Sequence, residues 1–183
     1  MAANDLTLSV RLAARLGLGD LDFREAVLAI SSIPYGRPSA PSASAVLDEW
    51  RGTCSTKHVL LKCVADERWP QLAVELWHRP YVVTRGLASE RWGFTVASSV
   101  PESGLVDVHT FATARIAQTN VRLDVTFPIP QWDGESSIAL HCGPGQDHPA
   151  GLAPLDTKSR LVSEFCDPAV REPFIAALGT LTQ

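Results

Sequence analysis

Cys54 stands in the segment Trp50-Arg51-Gly52-Thr53-Cys54-Ser55-Thr56-Lys57-His58. With Thr53 as an N-cap, Cys54 falls in the first turn of a helix. The unpaired N–H groups there and the positive end of the helix dipole favour a thiolate. The thiolate is the nucleophilic form of cysteine. Gly52 lets the chain turn sharply and lets a substrate approach the backbone, and the same N–H groups can stabilise a developing oxyanion. His58, four residues on, lies on the same helical face as Cys54. It competes as a base or lines the rim of a cleft.

A thiolate of this kind needs an imidazole and a group to orient it. His109 lies in Val106-Asp107-Val108-His109-Thr110-Phe111, and Asp124 in Val121-Arg122-Leu123-Asp124-Val125-Thr126-Phe127. Both runs read as strands. A two-residue turn at Ala117-Gln118 sets Asp124 opposite Phe111, with His109 two residues along the same face, a diagonal of about 7–8 Å. A turn at Ile116-Ala117 sets Asp124 directly opposite His109, and a turn at Gln118-Thr119 moves the two apart. Residue types place the turn nearer Asn120. Asp107 shares the His109 face and is the reserve carboxylate.

These residues must be held by elements the sequence also indicates. Residues 53–65 carry an apolar stripe of Val59, Leu60, Cys63 and Val64 and read as a helix. Two helices are expected before residue 34, the first ended by Gly17 and Gly19, the second opened by an Asp22/Glu25 capping box. Residues 34–45, rich in Pro and Ser, read as a loop. Residues 71–77, 92–100, 105–116 and 121–127 read as strands, and helix returns at 156–165 and after Asp167-Pro168. Helices, then an antiparallel sheet, then helices is an α+β order. One domain over 1–183 is expected, with a helical part (1–45), a core (50–128) and C-terminal helices (156–183).

The chain has 183 residues, 45% hydrophobic and 20% charged, with net charge −4. An acidic chain without a basic cluster is a poor partner for nucleic acid or an anionic membrane, and no apolar run reaches the ~18–20 residues of a span. The N-terminus lacks the pattern of a secretory signal. Four cysteines without a Cys-x-x-Cys pair imply free thiols and a cytoplasmic setting. Cys63, Cys142 and Cys166 read as packed groups. His141-Cys142-Gly143-Pro144-Gly145-Gln146-Asp147-His148 offers metal-ligand types but no second half-site, so it reads as a surface loop and no metal is expected. Among the five tryptophans, Trp50 and Trp132 are close enough in sequence to the Cys54 and Asp124 segments to wall a site.

Gly52-Thr53-Cys54 at a helix start, followed by His109 and then Asp124 on successive strands, resembles the transglutaminase-like cysteine superfamily. His109…Arg115-Ile116…Leu123-Asp124-Val125-Thr126-Phe127 is similar to the His–Asp hairpin of arylamine N-acetyltransferases, and Arg51-Gly52-Thr53-Cys54 to their nucleophile segment. The resemblance covers residues of about 50–128. It implies a papain-like or transglutaminase-like fold and a Cys54–His109–Asp124 triad that passes an acyl group through a thioester on Cys54. Ser55 stands where transglutaminases often carry an aromatic residue. No CoA-phosphate site is legible, which favours hydrolysis of an amide, ester or thioester. An acyltransferase or transglutaminase using the same residues, and an inactive binding module of the same fold, are the alternatives. Trp50, Gly52, Thr53, His58 and Trp132 are the expected substrate-facing residues, with specificity in loops 34–50, 79–91 and 128–155. The expected partner is a small molecule or peptide, with no cofactor.

Overall fold

The computed structural model describes residues 6–181; the ends of the expected 1–183 domain, residues 1–5 and 182–183, lie outside them. Helices α1 (Leu8–Leu16), α2 (Phe23–Ser32), α3 (Ala43–Glu49) and α4 (Cys54–Arg68) come first. They are followed by β1 (Glu75–Val83), α5 (Arg85–Ala97), β2 (Leu105–Ile116), β3 (Thr119–Leu123), β4 (His148–Pro149), α6 (Pro154–Phe165) and α7 (Pro168–Leu178). The strands form one antiparallel sheet in the order β3-β2-β1-β4. The architecture is α+β.

Local chemistry explains most boundaries. Gly17 closes α1 in the left-handed conformation, φ 70°, where its N–H reaches the carbonyls of Ala13 and Ala14. Asp22 and Glu25 make a reciprocal capping box on α2. Ser42 caps α3, a helix inside the stretch expected to be loop, and Val46 and Leu47 bury its apolar side. Asp167 caps α7 and Pro168 occupies its first turn, as the sequence indicates.

Two expected strands are corrected. Residues 92–100 are the end of α5 and the turn after it. Gly93, at φ 81°, kinks α5, and the short turn beyond it buries Val96 and Ala97 while Ala88 and Trp92 are buried before it, so strand-favouring residue types are taken up by two helical pieces. Pro70–Leu72 form a single 3-10 turn and Ala73 takes φ 45°, which delays β1 to Glu75.

The β2–β3 hairpin turns at Ala117-Gln118, whose φ values of 47° and 71° give the twist a two-residue hairpin needs. Asn120 sits inside β3, paired with Arg115. The register pairs Ala112 with Leu123, so Asp124 comes just past the last paired residue rather than within a strand.

The main core joins α1 to α4 with the sheet through Leu12, Ile30, Leu60, Leu61, Ala112 and Leu123. A second cluster ties α5 to α7 through Trp92, Val96, Phe174 and Leu178, and α6 packs on β2 through Leu161 and Val108. Among the described residues, no helix is long and apolar enough to cross a membrane.

Candidate active site

Cys54 is the first residue of α4, a 15-residue helix whose entry is shaped by a local hydrogen bond: the Thr53 N–H donates to Thr56 Oγ1 at 2.9 Å. Gly52 is required at this entry, since a Cβ there would lie 2.6 Å from Lys57 Cγ. The Gly52 N–H donates to Pro34 O at 3.0 Å and the Gly36 N–H donates back to Gly52 O, which straps the 34–41 loop against the helix start.

His109, on β2, hydrogen-bonds through Nε2 to Asp124 Oδ2 at 2.7 Å. That leaves Nδ1 as the ring nitrogen free to interact with the Cys54 sulfur, to which His109 is electrostatically coupled. Asp124 is fully buried and has further partners: the Thr126 N–H donates to Oδ1 at 3.0 Å and the His141 N–H to Oδ2 at 2.7 Å. The His141 ring Nδ1 stands 3.3 Å from that same oxygen. The structure therefore bonds His109 to Asp124 and couples His109 electrostatically to Cys54.

The electrostatics of these three residues are those of an ion pair. Burial opposes ionisation of Cys54, but the Lys158 charge and the His109 hydrogen bond outweigh it and bring the thiol down to about 5. Burial likewise disfavours a charged His109, yet the Asp124 carboxylate and the Cys54 sulfur raise it well above its ordinary value. Asp124 is held well below the usual carboxylate range: His109, as charge and hydrogen-bond donor, overcomes the cost of burial. In contrast, burial raises Cys63 and Cys142 and takes Cys166 up to about 11.

Lys158 went unnoticed in the sequence. It projects from α6, and its Nζ donates to Cys54 Sγ at 3.0 Å with the side chain buried. A signal existed: Leu155, Lys158, Leu161 and Val162 share one helical face, which puts a charge inside an apolar stripe. His141, read as part of a surface loop, meets Asp124 instead. Lys57 is fully buried and donates to three carbonyls, Ser31 at 2.9 Å, Ile33 at 2.7 Å and Thr126 at 2.9 Å. Burial lowers it to about 7, against the opposing pull of Asp124 and Cys54.

A cavity of about 740 Å³ opens over Cys54. One wall is the 35–41 loop, with Tyr35, Arg37 and Pro38. The other is α6 and the start of α7, with Lys158, Val162 and Arg171. Thr53 and Cys54 form the floor. The walls thus differ from the expected loops: of 34–50, 79–91 and 128–155, only the first contributes broadly, and the C-terminal helices supply the rest.

Of the five expected substrate-facing residues only Thr53 lines the cavity; Gly52 is buried at the entry to α4, and three others lie elsewhere. His58 is fully buried. Its Nδ1 donates to the Cys54 carbonyl at 2.6 Å, which leaves Nε2 to accept the Val125 N–H at 3.1 Å. Burial lowers it to about 4, so it is a neutral strut between α4 and the Asp124 segment. Trp132 packs edge-on to Phe23 in the main core, its indole N–H given to Ser136 O. Trp50 caps α3 at φ 51° and carries the Arg15 guanidinium 4.5 Å over its ring. Asp107 is bound to Arg171 at 2.7 Å, both buried, and is not the partner of His109. The His141–His148 segment splits: His141 goes to Asp124, while His148 pairs with His78 as β4. Among the described residues, no group of three His, Cys, Asp or Glu could hold a metal ion. No protein-family model matches this chain, and no curated protein or solved structure matches it either.

Proposed function

We propose that this chain is a cysteine hydrolase of an amide, ester or thioester, working through an acyl-thioester on Cys54 within a transglutaminase-like or papain-like variant of the α+β architecture. One observation carries the reading: a sulfur at a helix N-terminus that takes a hydrogen bond from Lys158 at 3.0 Å and is electrostatically coupled to an imidazole locked at 2.7 Å to a buried carboxylate. A packed thiol has no use for that arrangement, whereas a nucleophile needs it.

The Cys54 thiolate attacks the substrate carbonyl, and the carbon–oxygen π pair moves onto oxygen. His109 holds a proton on Nδ1 and yields it to the leaving group as the tetrahedral intermediate collapses. Asp124 keeps Nε2–H oriented and stabilises the imidazolium. Water, deprotonated by the now neutral His109, then attacks the thioester and releases the acid and the thiolate.

Intact-mass measurement after a short incubation with p-nitrophenyl acetate is the direct test. An acetyl adduct on Cys54 that decays in water, absent from Cys54→Ala and slowed on the order of 100-fold or more in His109→Ala, is the expected result. Equal acetylation of Cys54→Ala and the parent would overturn it.

A further inference from the structure

Cys54 Sγ has two cationic neighbours, and they stand on different sides of the site. His109 is buried and is not part of the cavity wall, whereas Lys158 lines the cavity and reaches the sulfur at 3.0 Å. A carbonyl carbon placed for attack from the cavity must come within bonding distance of Sγ, and its oxygen is then only one bond from that carbon. The oxygen therefore sits within a few ångströms of whatever cation the sulfur already touches on the cavity side.

We infer that Lys158 is a catalytic residue of the proposed acyl transfer, pairing with the thiolate at rest and with the carbonyl oxygen in the tetrahedral state. The inference rests on the hydrolase reading above. In the resting enzyme, Cys54 and Asp124 supply two negative charges and His109 and Lys158 two positive ones. When the C–S bond forms, the sulfur gives its electron pair to the new bond and becomes neutral, and the π pair becomes the oxyanion. The negative charge has moved by about two bonds. Lys158 loses its partner at the moment a new anion appears beside it, so the ammonium need not be desolvated or recruited. When C=O re-forms, the bond to the leaving group breaks and the His109 proton goes to that group. Lys158 keeps all its protons throughout.

The surroundings suit such a role. Thr157 and Ser159 flank Lys158 on α6, and Val162 forms part of the same cavity wall. Of the other cations lining the cavity, Arg171 is bound to Asp107 and Arg37, on the opposite wall, pairs with Glu172 at 2.7 Å. Lys158 has Cys54 Sγ as its hydrogen-bond partner among the described residues.

Two reactions of the same sulfur separate this role from that of a thiolate counter-ion. Alkylation by iodoacetamide needs the thiolate and forms no oxyanion. Acetylation by p-nitrophenyl acetate needs the thiolate and passes through one, and its leaving group requires no proton. The ratio of the two rate constants cancels the fraction of thiolate. We expect that ratio to fall on the order of 100-fold in Lys158→Met and to recover at least tenfold of that loss in Lys158→Arg, with thermal melts of both variants compared with the parent. If both rates fall together in Lys158→Met and the ratio is unchanged, Lys158 only ionises the thiol and the inference is overturned. Should Lys158→Met fail to melt cooperatively, Lys158→Gln and Lys158→Arg give the same ratio comparison. If the parent alkylates rapidly at Cys54 but never acetylates, the hydrolase reading fails, and this inference with it.

Discussion

Asp124 Oδ2 receives His109 Nε2 at 2.7 Å from a position with no solvent exposure, one residue beyond the end of a strand. The same carboxylate is held by two backbone N–H groups, from Thr126 and His141. It is thus immobilised independently of the imidazole it orients. Asp124→Asn keeps the shape but removes the charge that supports the imidazolium. Turnover of an activated ester should drop at least on the order of 100-fold. Asp107→Asn should leave Cys54 ionised, because Asp107 serves Arg171. Equal loss in both variants would reassign the orienting carboxylate.

Acid and alkaline limits follow from the two shifts. An acid whose pKa falls on folding stabilises the native state above its unfolded value and loses that contribution as pH falls. For Cys54 the window runs from its ordinary 9.0 down to about 5. His109 works in reverse: raised on folding, its contribution is complete below 6.5 and is lost as pH climbs through the folded value. The thiolate–imidazolium form therefore dominates from about pH 5 up to the raised His109 value. The rate of iodoacetamide labelling at Cys54 should rise with a midpoint near 5, while turnover of an amide, whose leaving group needs the His109 proton, should fall again on the alkaline side of 6.5. A labelling midpoint near 9 would remove the ion pair.

Selective labelling is a separate expectation. Cys63, Cys142 and Cys166 are all raised by burial, Cys166 to about 11. At neutral pH a single alkyl group should appear on native protein, and peptide mapping should place it at Cys54. Early modification of Cys63, the half-buried one, would contradict the assignment.

Gly52→Ala should cost roughly 1–3 kcal/mol in urea unfolding. The new Cβ would meet Lys57 Cγ at 2.6 Å and Val46 Cγ1 at 3.3 Å, both in packed surroundings. Cys54 labelling should slow as well, since the helix entry moves. Unchanged stability and labelling would mean that the loop gives way freely.

Arg171→Met strands the buried Asp107 carboxylate and should cost about 3–5 kcal/mol. Adding Asp107→Leu should recover most of that loss, because the apolar pair no longer leaves a charge without a partner. A double variant as unstable as the single one would show that packing, not charge, is what Arg171 supplies.

Some of this was legible before any coordinates. The α4 start around Thr53-Cys54, the Asp22/Glu25 box and the Asp167-Pro168 cap are local signals, decided by hydrogen bonds within three or four residues. The hairpin register was legible only as one of three options, because Ala117 and Gln118 are not turn residues by type and long-range pairing selects them. Residue types mislead at 92–100, where a kink at Gly93 lets two short helical pieces bury Trp92, Val96 and Ala97 despite their strand propensity. His58 and Trp132 were placed by sequence proximity, which says nothing of direction; both point into the core. Lys158 and His141 were missed for the opposite reason, since tertiary folding alone carries α6 and the 141–147 segment to the sulfur and the carboxylate.

The sequence separation of 104 between Cys54 and Lys158 has a bearing on how the protein is made. During translation the cysteine emerges long before the lysine that helps to ionise it. Until α6 docks, the sulfur lacks its Lys158 partner and has only the start of α4 and His109 to favour the ionised form. Full polarisation of the sulfur is thereby tied to completion of the C-terminal helices.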